Sequence, residues 1–314
     1  MTSAPPMMVR QPAGQPFTPT CGAFSRPHFS VAPGVPTIES NAVTLIQMPD
    51  PTLLDVAEVV QAGASAFVSK RISATPSGEW EAPIEAWNLA SLAVRSVEGV
   101  CLMARTDMGL ANAATQCARA ALEHTVRAIW LLQPTDRFMG EVRWLALLHE
   151  WERFEESATK EIGDTAIRDK HLRRACAIKD FRTGVEARLP VGYSSLRRLP
   201  SMRDMMVEIG IGSFYQYYRK LSQPVHGTME ATETYRRNLG DKKLCGDFGG
   251  LFDWILPMRL SWVCIRNLHE MVLFRCGPEP VELPLLTPGE TDVDGIFATM
   301  AHRAAELLPD GREG

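Results

Sequence analysis

The sequence has no G-x-x-x-x-G-K-[ST] run, no G-x-G-x-x-G turn, no G-x-S-x-G elbow and no H-E-x-x-H pair. Each of those chemistries needs its residues at fixed spacing, so a phosphate-loop enzyme, a dinucleotide fold, an α/β-hydrolase and a zinc protease are excluded. His149-Glu150 and His269-Glu270 come nearest, but Arg153 and Leu273 stand where a second His would be needed. The seven cysteines form no C-x-x-C and no even framework, which predicts reduced thiols in a cytoplasmic protein. Loops with paired carboxylates are missing, and neither a metal nor a cofactor is expected. Strand-like alternation is scarce; Asn41 to Gln47 is the one tempting run. No secretion signal is visible at the N-terminus. The most apolar stretch, Leu251 to Phe274, is broken by Asp253, Arg259, Arg266, His269 and Glu270, so no membrane span is expected. With a net charge of -4, the surface as a whole does not suit nucleic acid, and any such contact must be local.

What is present is helical periodicity. A hydrophobic content of 45% over 314 residues can fill a sizeable core. Residues 1 to 36 carry eight of the 22 prolines and little apolar rhythm, which predicts a disordered leader over residues 1–48. A helical bundle is expected over 49–277, and a Pro-rich tail with a terminal amphipathic helix over 278–314. The apolar spacing of Leu53, Val56, Val60, Ala64 and Phe67 predicts a first helix, capped by Asp50 and ending near Arg71. A second helix follows Pro83, with Trp87, Leu89, Leu92, Val94, Val97, Val100 and Leu102 in its apolar set. Gly109 to Leu132 is the expected central helix, because its alanines let neighbours approach closely. Its polar residues Asn112, Gln116, Arg119, Glu123 and Arg127 recur at steps of three and four and form one stripe.

From Asp136 to about Gly163 a helix is expected to bury Trp144, Leu145, Leu147, Leu148, Trp151 and Phe154. Its charges lean acidic, and those of the following segment lean basic, which predicts a charge-matched antiparallel hairpin or a basic face that collects phosphates. Short helices are expected at Ser201 to Ile209, at Ser213 to Leu221 and from Pro224 to about Arg237. The glycine-rich stretch 240–250, with Lys242 and Lys243, reads as a connection. A long helix follows over Leu251 to Phe274 with a kink at Pro257, then a last helix over Asp292 to Leu308. The whole is an all-α bundle of about seven or eight helices.

The chemistry concentrates at Tyr215-Gln-Tyr-Tyr-Arg-Lys-Leu-Ser-Gln-Pro-Val-His-Gly227. Pro224 has no N–H and pushes Gln223 out of the α region, so one helix should stop near Leu221 or Ser222 and another begin. His226 would then lie in a helical first turn, where the dipole favours an anion and a neutral imidazole. Arg219 could clamp a phosphate and His226 could act as acid or base. Glu123, clamped by Arg119, is expected to face Arg219 and His226 and orient them; Tyr218, Lys220 and Ser222 are the expected substrate contacts together with Arg119.

Arg219 and His226, with six residues between them, resemble the Arg-x(4 to 6)-His signature of the HEPN superfamily of helical nucleotide-binding and RNA-cleaving domains. Arg119, Glu123 and Tyr218-Arg219-x-Leu221-Ser222-x-x-Val225-His226 resemble a set of bacterial helical domains with the same layout, over roughly residues 85 to 275. Lys220, where a small polar residue is usual, and Pro224, inside the spacing, depart from the HEPN signature. The resemblance implies a stress or defence protein that either cleaves RNA without metal, through Arg219 and His226 at an interface between two copies, or serves as a nucleotide-binding module. RNA or a phosphorylated ligand is therefore the expected partner. A non-catalytic binding or scaffold protein, and an enzyme acting on a small phosphorylated metabolite, are the alternatives.

Overall fold

The computed structural model describes residues 46–71, 80–194, 196, 198–223, 250–273, 275 and 292–307. Residues 1–45 of the expected leader lie outside the described residues. So do the expected helix from Pro224 to Arg237 with His226, residues 240–249 and the tail prolines.

Nine α-helices make up the described residues: α1 (Pro51–Arg71), α2 (Glu81–Thr106), α3 (Ala111–Leu132), α4 (Arg137–Glu161), α5 (Thr165–Glu186), α6 (Met202–Glu208), α7 (Tyr215–Ser222), α8 (Leu251–Asn267) and α9 (Val293–Glu306). Short 3-10 turns at Met108–Leu110 and Gly212–Phe214 precede α3 and α7, and a π turn at Leu268–Leu273 follows α8. No strand forms among the described residues, so the protein is all-α as expected.

Most starts follow from local chemistry, because the first N–H groups of a helix need acceptors from outside it. Asp50 accepts from the Thr52 N–H at 2.9 Å, Asp136 from Phe138 at 2.9 Å, Asp164 from Ile167 at 3.0 Å and Asp292 from Gly295 at 2.8 Å. In α2 the preceding Trp80 offers no cap. Glu141 reaches over from α4 instead, and its Oε1 accepts from the Ala82 N–H at 2.7 Å.

The core is built around α3. Ala111, Ala114, Ala118 and Ala121, at steps of three and four, are buried and let neighbouring helices come close. A Cβ placed on Gly99 of α2 would lie only 3.7 Å from the Cys117 sulfur of α3. On another side of α3 packs α8, which brings Trp254, Met258, Cys264 and Ile265 into the interior. The Trp254 indole N–H donates to the Met108 carbonyl at 3.0 Å, fastening α8 to the α2–α3 junction. Gln47 ties the segment just before α1 to the same junction, its N–H donating to Asp107 at 3.1 Å and its carbonyl accepting from Met108 at 3.0 Å.

Against α8 lies α1, close enough that a Cβ on Gly63 would meet Ile265 at 3.0 Å and Trp262 at 3.1 Å. Pro257 sits inside α8 without ending it. The continuous helix expected to Phe274 changes to the π turn after Asn267, where His269 is buried against the Phe67 ring. Its Nε2 lies 3.1 Å from the Gly63 carbonyl; a carbonyl only accepts, so the ring proton is on Nε2. Burial pushes the His269 pKa down.

The expected hairpin is present. Pairing of Arg182 with Glu152 at 3.0 Å and of His171 with Glu155 at 2.6 Å joins α5 to α4 in antiparallel order. The apolar sets differ from expectation: Leu92, Leu102, Trp151 and Phe154 stand 52%, 66%, 49% and 66% exposed. Helical spacing places them on apolar stripes, but among the described residues no neighbouring element covers those parts of α2 and α4. Among the described residues no helix is long and apolar enough to cross a membrane.

Candidate functional site

The polar stripe of α3 meets α7 through Tyr218. Arg119 and Glu123, one turn apart on α3, pair at 2.8 Å. The Tyr218 hydroxyl donates to Glu123 Oε1 at 2.6 Å and accepts from Arg119 Nη2 at 3.0 Å, closing a ring of three side chains. The guanidinium carbon also stands 5.2 Å from the centre of the Tyr218 ring, within cation–π range. Burial and the bond to Glu123 both push the Tyr218 pKa up, so its hydroxyl remains a donor.

This arrangement joins Arg119, Glu123 and Tyr218 as one unit and leaves the other expected site residues around it. Arg219 and Lys220 are exposed, and among the described residues neither side chain has a partner. Glu123 therefore meets Tyr218 where Arg219 was expected; one residue along a helix turns a side chain by about 100°. Ser222 is buried, and its hydroxyl donates to the Tyr218 carbonyl at 2.8 Å. His226 lies outside the described residues.

Beside the ring opens a cavity of about 650 Å³. Glu123 and Tyr218 form one side of it. Arg127 of α3, then His149, Glu150 and Arg153 of α4, and Arg198 with Asp204 around the start of α6 supply the remaining charge and hydrogen-bonding capacity. His149 and Arg153 share a helix face, four residues apart, as do Glu123 and Arg127. The i, i+4 spacing of His149 and Arg153 was the signal available in the sequence. What the sequence could not show is that α3, α4 and the segment before α6 bring these groups to one place.

The wall formed by α6 is held by a polar cluster around the buried side chain of Arg143. Glu208 accepts from the Trp130 indole at 2.6 Å and from Arg143, which also donates to the Trp130 carbonyl and to Gln133 Oε1 at 3.2 Å. Arg143 is buried; desolvation lowers its pKa, and the carboxylate of Glu208 opposes that shift. A charge that deep requires its partners, so this cluster fixes α6 against α3 and α4. No group of three or more His, Cys, Asp or Glu among the described residues is placed to hold a metal ion.

No curated protein and no solved structure matches the chain. Residues 88–243 match the family described as "Family of unknown function (DUF5677)", a span that opens inside α2 and contains the Arg119–Tyr218–Glu123 ring, the cavity and all of α3 to α7.

Proposed function

We propose that the chain holds an RNA phosphate at the C-terminal end of α7 and cleaves the backbone there without metal, in the manner of the HEPN ribonucleases it resembles. The observation that carries this reading is the Arg119–Tyr218–Glu123 ring. It pins α7 to the central helix and leaves Arg219 and Lys220 as exposed cations at the end leading to His226. A guanidinium can bind two phosphate oxygens at once, and a second cation beside it raises the local anion concentration despite the net charge of -4. In this reading Arg219 clamps the scissile phosphate. The 2'-oxygen attacks phosphorus as the bond to the 5'-oxygen breaks, and His226 takes the 2'-hydroxyl proton or protonates the departing oxygen. Glu123 acts at one remove, by orienting Tyr218 and hence α7. Pairing of two copies belongs to the same reading.

The test is to incubate purified protein with an RNA oligonucleotide in excess chelator. Cleavage should persist, yield 2',3'-cyclic phosphate ends, disappear in His226→Ala and fall at least 100-fold in Arg219→Ala with unchanged melting temperatures, roughly the effect of removing one transition-state charge contact. Absence of cleavage by the unaltered protein, or variants that only lower the melting temperature, would overturn it.

A non-catalytic binding or scaffold role is the second reading. One observation favours it: Arg119, Glu123 and Ser222 direct their hydrogen bonds to Tyr218, as members of a structural network do.

A further inference from the structure

Three arginines line the cavity from three separate segments: Arg127 on α3, Arg153 on α4 and Arg198 in the stretch before α6. Among the described residues none of the three is paired with a carboxylate, in contrast to Arg119, Arg143 and Arg182. The Nε of Arg127 is buried and has no acceptor. Each guanidinium carries five N–H donors in a rigid fork, so the cavity wall holds a surplus of charged donors that the protein does not use.

The carboxylates of the same wall are unequal. Glu123 is held by Arg119 and Tyr218, and Asp204 accepts from the Ser201 hydroxyl at 2.7 Å. Glu150 is exposed and has no partner among the described residues. A bare anion would feel Glu150 and Asp204 as repulsion. A ligand with a phosphate at one end and hydroxyls at the other would satisfy both halves, because carboxylates only accept and sugar hydroxyls donate. Met202 and Met205 add an adaptable apolar surface for a ring. A volume of about 650 Å³ falls in the range of small-molecule sites and has room for one such ligand.

We infer that this cavity binds a small hydroxylated phosphomonoester, a nucleoside 5'-monophosphate or a sugar phosphate, with its phosphate on Arg127, Arg153 and Arg198 and its hydroxyls on Glu150 and Asp204. The inference stands apart from RNA cleavage, since it uses neither Arg219 nor His226. His226 therefore serves as a control.

Titration calorimetry of the full chain with adenosine 5'-monophosphate, ribose 5-phosphate, adenosine and inorganic phosphate tests it. Either phosphomonoester should bind; equal affinity for the two assigns the site to sugar phosphates, and tighter binding of the nucleotide assigns it to nucleotides. Arg153→Gln and Arg198→Gln, both at exposed positions, should each weaken that binding at least tenfold without lowering the melting temperature. His226→Ala should bind as the unaltered protein does. Arg153→Lys, which keeps the charge and loses the fork, should fall between. Adenosine binding as tightly as its monophosphate, inorganic phosphate binding as tightly as either ester, no binding of either ester, or full affinity in both glutamine variants would each overturn the inference.

Discussion

Glu141 illustrates how one side chain can serve a helix it does not belong to. It is 1% exposed, caps α2 from α4, and has its second oxygen buried with no partner. Burial pushes its pKa up, and the Ala82 N–H only partly opposes the shift. The folded carboxyl therefore keeps a proton at pH values where the unfolded one has released it. By linkage, stability contributed at this site is fully present below the ordinary carboxylate range and declines as pH rises towards the folded pKa. Glu141→Gln retains an acceptor for Ala82 and cannot ionise. Urea unfolding across pH 4 to 8 should show the variant losing that decline, so that its advantage over the unaltered protein grows with pH; an unchanged pH slope would contradict the account.

Residue-scale features of this kind were only partly legible in the sequence. Asp50 as a cap and the Arg119–Glu123 pair could be read, because both partners lie within one helical turn. Tyr218 meeting Glu123 in place of Arg219 could not, because the rotation of α7 about its own axis is set by the packing of Leu221 and Ser222 into the interior. The cavity was hidden for a related reason: Arg127, Arg153 and Arg198 converge only through tertiary structure.

At the scale of elements, the α4–α5 hairpin combines strong pairing with little other support. Glu152 and Arg182 are largely buried, at 7% and 14% side-chain exposure, and Glu155 lies buried against His171. Packing of α5 is chiefly on α4, with Phe181 set edge-on to Trp144 at 5.6 Å. Removing one partner of such a pair leaves an uncompensated carboxylate, at a cost of roughly 3 kcal/mol. Arg182→Ala should therefore release α5 amides to early hydrogen exchange while those of α2 and α3 stay protected. Glu152→Gln in the same chain should restore part of the protection. Uniform loss throughout the bundle would show that α5 is more tightly coupled to the core than its contacts indicate. The acidic-then-basic charge pattern made the hairpin legible. The exposure of Trp151 and Phe154 was not, since periodicity reports which residues share a face and not whether anything covers it.

At the scale of the molecule, α3 is covered by helices far from it in the chain. The span similar to the DUF5677 family stops at residue 243, before α8, and starts after α1 has ended. It therefore lacks the side chains of Trp254, Met258 and Ile265 that fill the space beside α3. A fragment of residues 88–243 should bind hydrophobic dye and melt without a sharp transition, whereas the full chain should melt cooperatively. A cooperative melt of the fragment would instead make it an independent domain. The all-α class was legible from the spacing of apolar residues. The order of coverage was not, because periodicity says nothing about which stripe meets which.

The fastening of Trp254 to Met108 also has a temporal side. When α3 leaves the ribosome, more than a hundred residues remain to be translated before α8 exists. At about 5–20 residues per second, the nascent protein displays the apolar flank of its central helix for several seconds to half a minute. Its yield in a cell should accordingly depend on chaperones that shelter emerging polypeptide more than its finished form would suggest.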